Sequence, residues 1–186
     1  MRFAFAILVA VAPLSAQEAR PTVVRLSSAV HTNSVRVSLA SLATLSRSFD
    51  RNFQMFAPTD PIDVLGGTRG IYLQGFGTVF TTELDVIRTP QLSPFRSSTF
   101  SDEEKAKIRQ RKQARIPDLE HLMHSMLQSA AKELAGMPDD EQIVVAVQLL
   151  YLPYEDSSGL PGQIMVKATR HAILSGVQIE PTVITQ

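Results

Sequence analysis

Apolar residues in this chain recur first with a helical period and then in strand-like runs, and this order constrains the fold more than any other feature. From residue 35 to residue 56 the apolar side chains are spaced three or four positions apart, which predicts an amphipathic helix. Asn33 or Ser34 is a suitable N-cap, and Pro58 ends the pattern. The apolar stripe consists of Val35, Leu39, Leu42, Leu45, Phe49, Phe53 and Phe56.

Two strands are predicted to follow this helix. Residues 63–70 are rich in glycine and other turn formers, so we expect a turn region there. Residues 71–74 and 78–87 are rich in β-branched and aromatic side chains, which favours strands, and Gly75 and Gly77 mark a tight turn or bulge between them. Alternate residues of the second strand share a face, and we expect the core to contact Phe80, Thr82, Leu84 and Val86.

A second helix is predicted over residues 102–135. It begins after Ser101, which together with Glu104 has the sequence pattern of a capping box. We expect Pro117 to interrupt this helix, because proline has no backbone N–H for the helical hydrogen bond. Gly136 follows the last apolar residues and is expected to end it.

A second pair of strands follows the second helix. Residues 143–151 form an apolar run that is typical of a buried strand, and residues 163–168 are expected to pair with it as an antiparallel hairpin. A short helix over 169–176 and a last strand over 177–179 complete the pattern.

The first sixteen residues have the composition of a secretory signal peptide. Arg2 precedes an apolar run of about ten residues, and Pro13 and small residues precede a polar stretch that begins at Gln17. We therefore predict a signal peptide over 1–16 and an exported protein, periplasmic or extracellular. The run is shorter than the roughly 20 residues that span a bilayer, so no transmembrane segment is expected after cleavage. Retention of the run as an anchor is the alternative.

These patterns together predict the fold class and the domain organisation. We expect an α+β fold, with an antiparallel sheet of about four to five strands packed against two long amphipathic helices, 35–56 and 102–135. The hairpin-like turns between paired strands favour this arrangement over a parallel sheet. A single domain is expected over 35–186, preceded by a loosely ordered arm at 17–34.

The composition excludes several classes of site. The chain has 186 residues, with 18 basic and 18 acidic side chains and no cysteine. A disulfide framework, a thiolate zinc site and an iron–sulfur cluster all require cysteine. A nucleic-acid partner is not expected at zero net charge, because phosphate binding needs a concentrated positive field. No motif indicates a cofactor.

The most distinctive charged feature is a basic segment at the start of the second helix. A solvated helix face explains such a segment, and a docking surface for an anionic protein, lipid or cell-wall polymer is the functional alternative. For partner binding the candidates are Lys105, Arg109, Lys112 and Arg115. The segment has six cations within eleven residues and no acidic residue among them: Lys105, Lys107, Arg109, Arg111, Lys112 and Arg115.

A few side chains are suited to metal binding or acid–base chemistry. His121 and His124 lie three residues apart on the second helix and are weak candidates for metal ligands, although surface histidines explain them better, so no metal site is predicted. Glu83 and Asp85 are expected to lie about 7 Å apart on one face of a strand. Glu155 lies in the loop before the last hairpin strand.

Three functions remain open. A non-catalytic binding or interaction module, acting through the basic segment and the loop at 153–162, is favoured because no catalytic motif has the required spacing. A structural or assembly protein would oligomerise through the apolar face of 35–56 or 116–134. A hydrolase would need a site assembled from dispersed side chains, namely Glu83, Asp85, His121, His124 and Glu155.

Overall fold

The computed structural model describes residues 37–57, 62–88 and 100–185, all within one compact unit, Ser34–Gln186. The predicted signal peptide at 1–16 and arm at 17–34 lie outside the described residues. Within those residues the chain forms three helices and five strands, in the order α1 (Leu39–Met55), β1 (Asp63–Leu73), β2 (Gly77–Asp85), α2 (Asp102–Glu133), β3 (Gln142–Leu149), β4 (Pro161–Thr169), α3 (Arg170–Leu174) and β5 (Thr182–Thr185).

The five strands form one mixed sheet in the order β1–β2–β3–β4–β5. Neighbouring strands are antiparallel except β2 and β3, which run parallel from the pair Gly77 and Gln142 onward. The α+β class is confirmed, but the prediction of a purely antiparallel sheet is wrong. The reason is α2, which returns the chain to the end of the sheet where β2 begins, so that β3 starts there too.

The two main helices differ from their predicted bounds. α1 has 17 residues and begins at Leu39, with Ser38 as N-cap instead of Asn33 or Ser34. Ser38 Oγ accepts a hydrogen bond from the Ser41 backbone N–H at 3.0 Å. α2 has 32 residues and begins with the predicted capping box. Two long helices were expected, and among the described elements only α2 is long.

Pro117 lies inside α2 and does not interrupt it. A proline in a helix interior costs about 3 kcal/mol. Ile108 and Lys112 before the proline and Leu119 and Met123 after it are all buried, so both halves of the helix are anchored against the rest of the molecule. This packing outweighs the lost hydrogen bond, and the helix remains continuous.

The core lies between one face of the sheet and the helices. Leu45, Phe49 and Phe53 of α1 are fully buried, and the ring of Phe49 contacts that of Phe80 edge-on, with centroids 4.9 Å apart. The predicted core side of β2 is confirmed, since Phe80, Thr82, Leu84 and Val86 are all buried. Most apolar side chains of both helices pack in this core, whereas Leu39 and Met55 of α1 are exposed.

The remaining predictions concern the ends of elements. Residues 63–70, expected to be a turn region, form the first part of β1. The short helix is confirmed as α3, and Gly176 with φ +72° follows it. The last strand lies at Thr182–Thr185 instead of 177–179. Within the described ranges, none of the helices has the length and apolarity needed to cross a bilayer.

Candidate functional site

We call the side of the sheet opposite the helices the open face. Side chains alternate between the two sides of a strand, so the strand register assigns every second residue to this face. Arg69, Thr81, Glu83 and Gln148 are exposed there, whereas Val144 and Ala146 are buried. Read across the four strands β1 to β4, its side chains are Arg69, Ile71, Val79, Thr81, Glu83, Val144, Ala146, Gln148, Gln163, Met165 and Lys167.

A bulge in β1 forms the border of this face. The register between β1 and β2 shifts between Leu65 and Arg69, and Gly66 and Gly67 adopt φ values of +80° and +75°. Glycine adopts such values without the steric penalty that a Cβ imposes. The glycines that suggested a turn from sequence therefore form a bulge within a continuous strand.

A hydrogen-bonded connection to α1 holds the bulge in place. The Thr68 backbone N–H and hydroxyl donate to Asp50 Oδ1 at 2.7 and 2.6 Å. The Thr68 hydroxyl also lies 2.7 Å from Thr82 Oγ1 in the neighbouring strand. Thr68 is buried, so the bulge turns this residue toward the helices and leaves Gly66 and Gly67 beside the open face.

A cleft of about 340 Å³ lies beside the bulge on the open face. The register aligns Thr81 with Arg69 on one side and with Ala146 on the other, and aligns Gln148 with Glu83 and with Gln163. Four adjacent strands therefore each contribute one long polar side chain. The lining consists of Leu65, Gly66, Gly67, Arg69, Thr81, Thr82, Glu83, Ala146, Gln148 and Gln163.

The polar side chains of the cleft are not used inside the fold. Among the residues that the structure describes, Arg69 and Glu83 have no ion-pair partner. The carboxamides of Gln148 and Gln163 likewise have no hydrogen-bond partner within those ranges. The cleft thus offers one guanidinium, one carboxylate and two carboxamides to a ligand.

A second group of charged side chains, the Lys112 cluster, is buried where α2 passes the ends of β2 and β3. It consists of Lys112, Asp85, Glu155 and Tyr151. Lys112 Nζ lies 2.9 Å from Asp85 Oδ1 and 2.6 Å from Glu155 Oε2, and it donates to the Leu150 carbonyl at 3.2 Å. It also lies 4.9 Å from the centre of the Tyr151 ring. The side chains of Lys112 and Glu155 are each only 1% exposed.

The Lys112 cluster holds two carboxyl groups for one ammonium group. Burial raises the pKa of the Asp85 carboxyl above its ordinary value of 3.8, Lys112 lowers this pKa, and Glu155 raises it again. Burial, with the nearby carboxylates, raises the pKa of Tyr151 to about 12. The Tyr151 hydroxyl therefore stays protonated and donates to the Pro161 carbonyl at 2.8 Å.

We compare the free energy of unfolding of the wild type with that of Asp85→Asn. The difference, wild type minus variant, is expected to fall as the pH rises from about 4 through the folded-state pKa of Asp85. The raised pKa means that the folded chain holds this proton more tightly than the unfolded chain does. Acid therefore favours the folded state at this position, and the advantage is lost as the carboxyl ionises. Urea unfolding of both proteins between pH values of about 4 and 7 measures the difference, and a difference that stays flat or increases would contradict this expectation.

The residues predicted to bind an external partner make ion pairs or hydrogen bonds within the chain. Lys105 pairs with Asp102 and Arg109 with Asp156, each at 3.3 Å. Arg115 donates to the Val86 carbonyl at 3.0 Å. Lys112 is buried, so the expectation that it lies on a solvated helix face is wrong: its ammonium group is enclosed by carboxylates of β2 and of the loop after β3. Binding of an anionic partner by the basic segment stays a prediction.

The side chains considered for a metal or hydrolytic site are dispersed. His121 is exposed and His124 half-buried on α2, whereas Glu83 lines the cleft on the open face. Asp85 and Glu155 do meet, but around Lys112 in the interior. Among the described residues no group of three or more His, Asp or Glu side chains is placed to hold a metal ion.

The comparisons with protein families, with curated proteins and with solved structures found no match to this chain.

Sequence analysis did not single out Arg69, Gln148 or Gln163. Gln148 interrupts an otherwise apolar strand, and an isolated polar residue in such a run is a usable indication of a face that meets solvent. Arg69 followed two glycines in a segment interpreted as a turn, which concealed its place on a strand.

Proposed function

We propose that this protein is an exported, non-catalytic binding module that holds its ligand in the cleft on the open face of the sheet. The observation that carries the proposal is that four neighbouring strands each direct a polar side chain without a described partner into one cleft, namely Arg69, Glu83, Gln148 and Gln163. Sites for small molecules are commonly concave and use a few convergent polar groups. Export rests on the composition of residues 1–16.

The placement of the acid–base groups supports binding over catalysis. Catalytic acids and bases must come within hydrogen-bonding distance of the substrate. Glu155 is enclosed together with Lys112, and Asp85 is nearly so, whereas the cleft contains a single carboxylate, Glu83. A lone carboxylate with an arginine and two carboxamides is suited to recognition of polar groups.

A thermal-shift screen with a library of small polar metabolites tests this proposal. A ligand present at about 100 times its dissociation constant stabilises the folded chain by about 2.7 kcal/mol. For a chain of this size that corresponds to an increase in Tm of about 5–10 °C. We expect the increase to be lost in Gln148→Ala, which removes one carboxamide from the cleft.

The matched control is Gln113→Ala, which makes the same substitution at an exposed position of α2 outside the cleft. This variant should keep the ligand-induced increase in Tm. A screen without a stabilising ligand, or an increase that survives in Gln148→Ala, would contradict the proposed function.

A further inference from the structure

The volume of the cleft suits a small molecule. Its volume of about 340 Å³ is near the lower end of the roughly 300–1,000 Å³ that is typical of small-molecule sites. A polymer segment could contact the cleft only through a short part of its length.

The side chains that line the cleft have no net charge. Arg69 supplies one positive charge and Glu83 one negative charge, and the two glutamines are neutral. A ligand with only a negative charge would be attracted by Arg69 and repelled by Glu83, and the opposite holds for a cation. A ligand that carries both charges satisfies both residues at once.

The strand register places the two charged residues on neighbouring strands. Arg69 is aligned with Thr81, and Glu83 is two residues further along β2. The Cα atoms of such diagonal positions on neighbouring strands are about 7–8 Å apart, so the long side chains of Arg69 and Glu83 can reach the two ends of one small ligand. An extended chain spans about 3.3–3.6 Å per residue, so the two charged ends of a dipeptide are separated by roughly 7 Å.

The carboxamides of Gln148 and Gln163 can recognise a peptide bond. Gln148 and Gln163 are aligned with each other beside Glu83. A carboxamide both donates and accepts hydrogen bonds, as a peptide bond does, so each glutamine can pair with the N–H or the C=O of a bound peptide. A guanidinium accepts a terminal carboxylate in a bidentate geometry.

We propose that the cleft binds a short free peptide of about dipeptide length, with Arg69 holding the terminal carboxylate and Glu83 the terminal ammonium group. This inference rests on the proposed function, because it names the ligand class of the same cleft. Gln148 and Gln163 hydrogen-bond the peptide group between the two termini. The bulge at Gly66 and Gly67 leaves room for the peptide backbone beside β1.

The test is a titration of the full ¹⁵N-labelled chain with L-alanyl-L-alanine, followed by NMR. We expect saturable chemical-shift changes in the backbone amides of Gly66 and Gly67 and in the side-chain amides of Gln148 and Gln163. Blocking the peptide amine by acetylation, or its carboxylate by amidation, should weaken binding about tenfold or more, because each removes one charge-assisted hydrogen bond.

Variants that remove one charge from the cleft test which residue binds each terminus of the dipeptide. Arg69→Gln should weaken binding of the free dipeptide about tenfold and have little further effect on the amidated one. Glu83→Gln should weaken binding of the free dipeptide about tenfold and have little further effect on binding of the acetylated one. Arg47→Gln and Glu133→Gln make the same changes at exposed positions outside the cleft and should leave the affinity unchanged.

Three results would overturn the inference: no saturable shift with the free dipeptide, equal affinity for the doubly blocked dipeptide, or unchanged affinity in Arg69→Gln. Failure of this inference is distinguishable from failure of the proposed function. If a different compound stabilises the wild type and this effect is lost in Gln148→Ala, the cleft is a binding site but its ligand is not a peptide.

Discussion

Replacing Lys112 with methionine is expected to lower the free energy of unfolding by about 3–5 kcal/mol, the usual cost of removing one partner from a buried ion pair. Methionine keeps most of the apolar length of the side chain, so the main loss is the ammonium group. Asp85 and Glu155 would then be buried with no positive charge beside them, and the Leu150 carbonyl would lose its donor. Urea unfolding near neutral pH measures the effect.

Lys107→Met provides the matched control for this prediction. Lys107 is exposed on the same helix, and surface substitutions of this kind usually change stability by less than about 0.5 kcal/mol. Adding Asp85→Asn and Glu155→Gln to Lys112→Met should recover much of the lost stability, because the buried charges are then removed together. Equal stability of the two methionine variants would mean that the Lys112 cluster does not stabilise the fold.

Gly77→Ala is expected to destabilise the protein by more than about 4 kcal/mol, which is at the extreme for a single substitution. Gly77 has φ +129°, which side-chain-bearing residues rarely adopt, and a Cβ there would lie 1.8 Å from the Gln142 carbonyl oxygen. That oxygen belongs to the backbone of β3 at the first residue pair of the parallel β2–β3 ladder. The clash can be relieved only by separating the two strands. Expression yield and urea unfolding measure the loss.

Gly75→Ala makes the same change two residues earlier, at a positive φ without a steric clash. Gly75 also has a positive φ, +80°, but a Cβ there meets no atom within 4 Å. Its cost should be limited to the conformational penalty of about 1–2 kcal/mol. Comparable losses in the two variants would show that the close approach at Gln142 is not what makes glycine necessary at position 77.

Local patterns allowed much of the secondary structure to be predicted. The capping box at Ser101 and Glu104, the apolar stripe of α1 and the alternation in β2 each depend on residues a few positions apart. The extent of β1 was not predicted, because two glycines with positive φ occur both in turns and in strand bulges. Only pairing with β2 on both sides of Gly66 and Gly67 distinguishes the two.

The candidate site was less accessible to prediction than the fold. Glu83 was identified as a polar residue on a strand, but its neighbours in the cleft come from β1, β3 and β4, which are distant in sequence. Lys112 belongs to a run of basic residues that favours a solvated face, and nothing nearby in sequence indicates that Asp85 and Glu155 enclose it.

The sequence by itself determined the order of helices and strands, the α+β class and the side of β2 that packs in the core. These properties follow from the periods of 3.6 and 2 residues, which act over short distances along the chain. The tertiary structure decided the parallel β2–β3 pair, the burial of Lys112 and the gathering of Arg69, Glu83, Gln148 and Gln163 in one cleft. Each of these depends on which distant segments become neighbours, and that choice is made by the packing of the whole core.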